Sequence, residues 1–484
     1  MNETAGLWML ASVALLLVLT GLPAWIVLLG VALGFSVAGL AAGVLTLPIL
    51  TALPPRLIGL LEQDLLQALP LYVLMGALLN RLPLARILFN VGTYAMRGTK
   101  SAPQLMGLML GMVLAPINGS VGASVSMLTR TVQARLAAAN VAVHDSAALI
   151  CAGSTFGVVI PPSLVLILLG DAMLRAHTEA VNATHEAVRI INTQDLFRGA
   201  LPPALMFFLL CMAVAWWSGR RTGKPLQAER PAWSDWLVAG LIFLFLIGLL
   251  AGVALGFFYA VEGAAAGGMA LVLFGIATRT LTLQIMREVL RDTMALSGAL
   301  FALLIAATMF TLVLRIFGTD RWVADLITGL QGGSGVVLGA VLLTLALSAL
   351  VLDAFEIIFV VIPIVMPPVL MRVPDAVWVS VIALLILQAS FLLPPLGYAV
   401  LLIRGEMKVT LSTRQLARSL APYVGMQLLV LGLVLAFPSL THLADPPQEP
   451  AKPAATDDSS DDGWKLLQQQ REEQDGQDGQ KEQQ

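Results

Sequence analysis

The segment Asn118-Gly119-Ser120-Val121-Gly122-Ala123-Ser124 interrupts a long apolar run, and a second polar interruption, Gly153-Ser154-Thr155-Phe156-Gly157, precedes Pro161-Pro162-Ser163. Bilayer hydrocarbon offers no water to unpaired backbone N–H and C=O groups. A chain unwinds at that depth only where it is buried in protein or lines a wet cavity. Broken helices of this kind are typical of the ion and substrate sites of secondary transporters. We therefore expect residues 115–162 to contain a functional site.

The composition indicates an all-α polytopic membrane protein. Of the 484 residues, 58% are hydrophobic and only 12% are charged, whereas about a quarter of the residues in a soluble domain are charged. Apolar stretches of about 20 residues recur along the chain, and each is long enough to span a bilayer. We expect a multi-pass protein of the bacterial inner membrane, with the lipid bilayer as its surroundings.

The motifs give no support to enzyme chemistry. The two cysteines and four histidines show no metal-ligand spacing, and H-E-x-x-H, P-loop and G-x-S-x-G motifs are missing from the sequence. We therefore predict that the protein is not an enzyme and that ATP does not drive this chain by itself. No basic face indicates a nucleic-acid partner.

The basic residues suggest how the chain is threaded. Arg81, Arg86, Arg97 and Lys100 follow the third predicted membrane helix with no acid among them, which places them on the cytoplasmic side by the positive-inside rule. A complete crossing after Lys100 would put Arg130 and Arg135 on the opposite side. A re-entrant hairpin with its tip at Asn118–Ser124 keeps all of them together, and we prefer it. This threading places both termini in the periplasm.

An internal repeat links the two halves of the chain. The double proline Pro394-Pro395 follows Pro161-Pro162 by 233 positions, and Asp353 follows Gly119 by 234. A shared offset for two polar breaks is stronger evidence than either break alone. The segment between Asp320 and Leu330 has mixed charge, unlike the basic first arm. That contrast is expected of inverted-topology repeats with a binding site at their interface.

Six motifs carry a resemblance to a known family. They are Pro70–Asn80, Asn118–Ser124, Gly153–Ser163, Asp195–Pro203, Val261–Gly267 and Leu393–Gly397. Together they resemble the large membrane subunit of tripartite ATP-independent periplasmic (TRAP) transporters. Leu168–Met173 is most similar to the branch named for mannitol and chloroaromatic compounds, which is associated with 2-oxo acids and lactate. The chain departs from the family at Val261, where Thr is usual, at Ser348–Leu352 and in its acidic tail.

The resemblance implies an elevator transporter driven by a Na⁺ gradient, with Na⁺ as the coupling ion. It also implies two partners: a small four-helix membrane subunit and a periplasmic substrate-binding protein. The chain would begin with scaffold helices and the first arm (1–100), followed by a first transport repeat (101–175) made of hairpin 101–139 and broken helix 143–174. A periplasmic loop, further scaffold helices and the second arm (176–334) would lead to a second transport repeat (335–404) made of hairpin 335–372 and broken helix 376–403. A last helix (405–440) and a disordered acidic tail (441–484) would complete it.

Polar residues at the breaks are the candidate Na⁺ ligands, because a hard cation prefers the hydroxyl and carbonyl oxygens that unwound backbone supplies. The predicted Na⁺ set is Asn118, Gly119, Ser120, Ser124, Ser154, Thr155, Gly157, Asp353 and Ser390. The alternative is that the hydroxyl and amide groups only cap helices. Ionisable residues deep in an apolar run are functional by default, which applies to both Asp353 and Glu356. Asp353 is favoured because it falls at the repeated break. Glu262 is equally well explained as an interhelical partner of an arginine.

The substrate is expected at the same breaks. The predicted substrate-binding set is Asn118, Pro161, Pro162, Ser163, Pro394, Pro395 and Gly397. Ser163 would place a helix N-terminus against a substrate carboxylate, or it would be a plain N-cap. The predicted function is Na⁺-coupled import of a small organic anion such as a 2-oxo acid, lactate or a similar carboxylate. The alternative is a single-chain Na⁺- or H⁺-coupled anion transporter or antiporter of a related elevator fold.

Overall fold

The computed structural model of the chain describes residues 2–44, 53–62, 64–184, 189–222, 230–331, 333–350, 352–393, 397–407 and 412–445. Throughout these ranges the regular secondary structure is helical. The fold divides into Met1–Ala444 and Asp445–Gln484. The tail predicted to be disordered lies outside the described residues from position 446 onward.

The first half of the chain contains ten helices within the described ranges. They are α1 (Asn2–Thr20), α2 (Ala24–Ala41), α3 (Leu53–Leu61), α4 (Asp64–Arg81), α5 (Leu84–Ala95), α6 (Ala102–Leu114), α7 (Val121–Ala138), α8 (Val143–Val159), α9 (Leu164–Thr184) and α10 (Thr193–Thr222).

The second half contains nine more in the part of the chain that the structure covers. They are α11 (Trp233–Leu255), α12 (Ala260–Ala277), α13 (Leu283–Ile316), α14 (Thr319–Gly329), α15 (Ser334–Ser348), α16 (Ala354–Leu370), α17 (Ala376–Leu392), α18 (Tyr398–Glu406) and α19 (Thr413–Ala436). Residues Ile357–Val361 of α16 form a π-helical segment.

The helices confirm a polytopic membrane protein. Among the described residues, seven helical spans are long and apolar enough to cross a bilayer. The number is eight if Leu66–Arg81 and Leu84–Ala95, two helices that meet at 60°, form one span. Shorter apolar helices of 10–17 residues include α6, α15, α16 and α17.

The helices sort into two packed groups. Helix α4 packs against α12 and α13, and α13 also packs along α2. In the other group, α8 lies between α6 and α7 and also contacts α17 and α19, while α10 packs against α6, α17 and α19. The helices of the first group all lie in segments that we predicted as scaffold. The second group includes α8 and α17 from the two predicted broken helices, together with α19 and with α10, which we predicted among the scaffold helices.

Several helix ends cluster at one end of the molecule, which we call the basic end. The backbone of Gly219 near the end of α10 lies against Ser101 before α6, where an added Cβ would be 2.5 Å from the Ser101 Cβ. The Ser419 hydroxyl on α19 donates to the Asp145 carboxylate at the start of α8 (2.6 Å). The cations carried near these ends include Lys100, Arg135, Arg220, Arg221, Arg414 and Arg418.

Helices α6 and α7 run away from the basic end and return to it. Gln104 in the first turn of α6 and Val141 just after α7 line the same cavity there. Residues 115–120 form the tip between the two helices, and Gly119 adopts a left-handed backbone with φ of 70°. This glycine permits the sharp turn because it has no Cβ to clash.

The structure narrows the expected breaks. The polar residues that precede the two double prolines remain helical, since α8 continues to Val159 and α17 to Leu392. The first break is confined to 160–163 because Pro161 and Pro162 lack N–H donors. Ile160, which precedes them, is extended (φ −84°, ψ 120°), as expected before a proline.

Charged residues and a glycine mark the bounds of two helices in the second half of the chain. Helix α13 includes most of the charged segment 279–292 and runs unbroken for 34 residues from Leu283 to Ile316. Arg81 forms an ion pair with Glu288 and a second with Asp292 (2.8 Å), so the charged part of α13 is held against α4. Gly256 ends α11 in the left-handed conformation (φ 84°).

Candidate functional site

One cavity brings together both predicted tips and the second break. It has a volume of about 410 Å³ and lies between the two groups of helices. Its lining includes Ser120 from the first tip, Asp353 and Glu356 from the second, and Phe391 and Tyr398 on either side of the second break. Scaffold residues from the start of α2 and from α13 close the other side: Pro23, Ala24, Trp25, Leu296, Ala299, Leu300 and Leu303. We call this space the central cavity.

The first tip is held by a small network of polar groups. The Ser120 hydroxyl accepts a hydrogen bond from the Ala123 N–H at 3.1 Å and so caps α7. The Ser124 hydroxyl donates to the Ser120 carbonyl at 3.0 Å, and the Asn118 amide nitrogen donates to Ser124 Oγ at 3.3 Å. The capping function weighed for these residues is therefore present.

Asn118 has one polar atom that the hydrogen-bond network of the tip does not use. The residue is only 2% exposed, and its Oδ1 finds no hydrogen-bond partner among the residues that the structure describes. A buried acceptor without a partner costs about 1–3 kcal/mol. An oxygen in this position is suited to coordinating a cation, which capping alone would not require.

Glycines bring neighbouring backbones against this tip. A Cβ on Gly76 of α4 would lie 2.8 Å from the Asn118 Cα, and one on Gly157 of α8 would lie 2.6 Å from the Ala115 carbonyl oxygen. Both distances are shorter than real Cβ contacts, so only glycine fits. Gly157, predicted as an ion ligand, therefore has a packing role that accounts for it.

The second tip carries the charge of the central cavity. Asp353 and Glu356 are the charged groups in its lining, and both are acidic. The Asp353 N–H donates to the Glu356 carboxylate at 3.1 Å, which satisfies one of the free N–H groups at the start of α16. Glu356 thus acts as a cap, while the Asp353 side chain borders the cavity.

The hydroxyl groups of the first broken helix are used locally. Ser154 donates to the Cys151 carbonyl at 2.8 Å and Thr155 to the Ala152 carbonyl at 2.9 Å. Ser163 donates to the Val158 carbonyl at 3.1 Å and accepts from the Leu166 N–H at 3.3 Å, so it bridges the break and caps α9. All three residues are fully buried, and neither they nor Pro161 and Pro162 line the central cavity.

The second break contributes aromatic rings. Ser390 donates to the Leu387 carbonyl at 2.7 Å inside α17, and Gly397 begins α18, where an added Cβ would lie 2.5 Å from the Phe391 carbonyl oxygen. The rings of Phe391 and Tyr398 are neighbours, with their centroids 6.0 Å apart and their planes tilted by 53°. Pro394 and Pro395 lie outside the described residues.

Two residues in this region were not predicted. Tyr398 lines the cavity and reaches the first tip, since its hydroxyl would lie 3.5 Å from a Cβ on Gly122. Gln388 of α17 is fully buried and donates to the Thr155 carbonyl at 3.5 Å. These two residues are 233 positions apart, the offset of the repeat, so α8 and α17 cross at matching positions. That offset, applied to Thr155, would have singled out Gln388.

Glu262 also has a local explanation. Its carboxylate accepts from the Tyr259 N–H at 2.9 Å and so caps α12. Within the described residues there is no group of three or more His, Cys, Asp or Glu side chains that could hold a metal ion.

The chain was compared with known proteins. The family described as the DctM component of tripartite ATP-independent periplasmic transporters matches residues 10–440. The 2,3-diketo-L-gulonate TRAP transporter large permease protein YiaN of Escherichia coli (strain K12) is 23% identical over 363 residues, which cover 74% of this chain and 81% of that protein.

Two further relatives align over more of the chain. The sialic acid TRAP transporter large permease protein SiaM of Vibrio cholerae is 24% identical over 430 residues, 87% of this chain and 96% of its own. The C4-dicarboxylate TRAP transporter large permease protein DctM of Rhodobacter capsulatus is 21% identical over 433 residues, 88% of this chain and 95% of its own.

These matches confirm the resemblance at the level of the family, whose members are transporter permeases and not enzymes. The narrower branch named for mannitol and chloroaromatic compounds is not confirmed, because the relatives are named for other substrates. Since the family match spans most of its length, this chain belongs to the DctM component family of the tripartite ATP-independent periplasmic transporters.

Proposed function

We propose that this chain is the large permease subunit of a Na⁺-driven importer of a small organic acid, and that Na⁺ and the acid meet at the central cavity. The observation that carries this proposal is the convergence of Ser120, Asp353 and Tyr398, from both halves of the repeat, on one cavity. Sites of secondary transporters form where such interrupted helices meet.

The electrostatics of the cavity support a coupled mechanism. With Asp353 and Glu356 as its charged lining groups, the cavity favours a cation and repels a carboxylate. Na⁺ near these groups, or at the free Asn118 Oδ1, offsets that repulsion and orders the tips. An anionic substrate then binds more tightly when Na⁺ is present, and the reverse holds by an equal factor.

The substrate class follows from the relatives by analogy. The three named relatives transport 2,3-diketo-L-gulonate, sialic acid and C4-dicarboxylate, which share a carboxylate. We infer a carboxylate substrate for this chain, with 2-oxo acids and lactate tested first because of the motif at Leu168–Met173. A periplasmic binding protein and a small membrane subunit, as the tripartite family uses, would be its partners.

The packing favours a larger moving part than the repeats alone. Helices α10 and α19 lie against α8 and α17, so we assign them to the transport half together with both hairpins and both broken helices. This half would slide against α2, α4, α12 and α13. The basic end faces the cytoplasm in this arrangement because cations are retained on that side, and both termini lie in the periplasm.

Uptake into proteoliposomes tests the proposed function. The full chain and its small subunit would be reconstituted, and entry of labelled pyruvate, lactate and other carboxylates measured with and without an inward Na⁺ gradient and the binding protein. We expect uptake of one carboxylate that needs both. Uptake that needs Na⁺ but not the binding protein would favour the single-chain alternative. Uptake unaffected by replacing Na⁺ with K⁺ would refute Na⁺ coupling.

A further inference from the structure

A second cavity lies at the basic end and shares no lining residue with the central cavity. It has a volume of about 570 Å³ and is lined by residues of α6, α8, α10 and α19. The lining includes the polar and charged side chains of Gln104, His144, Asp145, Arg221 and Arg418. Nothing in the proposed transport cycle uses these groups. We call this space the basic-end cavity.

Gln104 indicates that the basic-end cavity takes a ligand. Its side chain is only 2% exposed, yet neither Oε1 nor Nε2 has a hydrogen-bond partner among the described residues. Burying both ends of an amide without partners costs about 1–3 kcal/mol for each group. Because Gln104 lines the cavity, a polar ligand there would remove that cost.

The charge of the lining selects an anion. Arg221 and Arg418 contribute two guanidinium groups that stay protonated. Asp145 is the opposing carboxylate, and it already accepts the Ser419 hydroxyl at 2.6 Å. The other titratable groups facing the cavity are His144, whose Nε2 lies 3.9 Å from Asp145, and Tyr423. Planar guanidinium groups suit the paired oxygens of a phosphate.

The rings beside the cavity place it at the level of lipid headgroups. Arg220 stacks on Trp216 at 3.8 Å and Arg221 on Trp217 at 4.7 Å. The two tryptophans are 43% and 60% exposed. Exposed tryptophan next to arginine marks the membrane–water interface, and anionic lipids of the inner leaflet are drawn to basic groups there.

We propose that the basic-end cavity binds the phosphate of an anionic membrane phospholipid through Arg221, Arg418 and the Gln104 amide. The lipid would be held by α6, α8, α10 and α19 and would travel with the transport half. A soluble phosphate offers the same chemistry, so the test separates the two sources.

Native mass spectrometry of the full-length chain, released from detergent, measures the bound lipid. The chain would be titrated with phosphatidylglycerol, with phosphatidylcholine as the zwitterionic comparison, and with inorganic phosphate as competitor. We expect one phosphatidylglycerol to bind in preference to phosphatidylcholine and to resist inorganic phosphate. The double variant Arg221→Gln with Arg418→Gln should weaken this binding at least about tenfold, since the loss of even one strong charge-assisted hydrogen bond has an effect of that size.

Two further variants keep the test decisive. Gln104→Glu keeps the size of the side chain and adds a negative charge, so it should weaken phosphatidylglycerol binding with both arginines intact. Arg220→Gln is the matched control, because Arg220 is adjacent but does not line the cavity, and it should bind as the wild type does. Equal binding by the wild type and the double variant would overturn the proposal. Displacement of the lipid by inorganic phosphate would overturn the lipid as its source.

Discussion

At the scale of single residues, the polar side chains of the first tip differ in how fully the fold satisfies their hydrogen bonds. Ser120 and Ser124 complete the local hydrogen bonds that begin α7, as a chain buried in a membrane must. The Asn118 side chain is only partly hydrogen-bonded, since its Oδ1 has no partner among the described residues. The hydroxyl groups explain how the tip folds, and the unpartnered amide oxygen is the group that we propose as a ligand for Na⁺.

Replacing Asn118 with Leu tests that oxygen. The substitution removes the free acceptor at similar volume, so the Na⁺ concentration for half-maximal uptake should rise about tenfold, as for the loss of about 1.4 kcal/mol of binding. Asn90→Leu is the control, because Asn90 also has a buried Oδ1 without a described partner but belongs to α5 and not to the tip at residues 115–120. An unchanged Na⁺ dependence in Asn118→Leu would remove this oxygen from the ion site.

Gly76→Ala tests the close approach of α4 to the first tip. The added methyl group would lie 2.8 Å from the Asn118 Cα, and overpacking of this kind costs about 1–3 kcal/mol. We expect lower thermal stability of the purified protein and loss of most uptake.

Gly34→Ala on α2 is the matched control for Gly76→Ala, because an added Cβ at Gly34 meets nothing within 4 Å. It should keep normal uptake and stability. Equal behaviour of the two variants would show that the tip does not depend on this contact.

At the scale of helices, one described ion pair bridges the two groups. Arg315 on α13 pairs with Glu179 on α9 at 2.9 Å, and so joins a helix of the proposed scaffold to the helix that follows the first break. Nearby, Arg175 pairs with Asp171 within α9 at 3.1 Å. A pair that crosses between parts that slide would have to break during each cycle.

Breaking this pair should change transport more than stability. Both side chains are partly exposed, so the pair contributes at most about 1 kcal/mol to folding. The same energy, lost from one end state of the elevator, would alter the uptake rate by up to about fivefold. We expect Arg315→Gln and Glu179→Gln to change the rate alike, with the charge-swapped pair Arg315→Glu and Glu179→Arg restoring it. Independent effects of the two substitutions would exclude the pair as a contact between sliding halves.

The prolines and glycines made the breaks predictable, because their effect is local. Pro161 and Pro162 end α8 whatever surrounds them. The extents were not predictable in the same way, because the Ser154 and Thr155 hydroxyl groups find acceptors on their own helix and so do not require the chain to unwind. The charged first part of α13 contacts Arg81 of another helix, and the local sequence does not reveal such a tertiary contact. Tyr398 enters the site for the same reason.

At the scale of the whole molecule, helices from the two predicted repeats lie against each other. Gln388 and Thr155 occupy matching positions and contact each other, while the two tips meet at the central cavity. Ions and substrate that bind to both tips would hold the transport half together as one body during its movement. The proposed coupling therefore depends on the assembled cavity and not on one helix.

The most direct test of this account is the linkage between Na⁺ and substrate on the reconstituted permease. The substrate identified by uptake would be titrated in Na⁺ and in K⁺ at fixed ionic strength, and Na⁺ would be titrated with and without saturating substrate. We predict that Na⁺ tightens substrate binding and that substrate tightens Na⁺ binding by the same factor. Equal substrate affinity in Na⁺ and K⁺ would contradict a shared site at the central cavity.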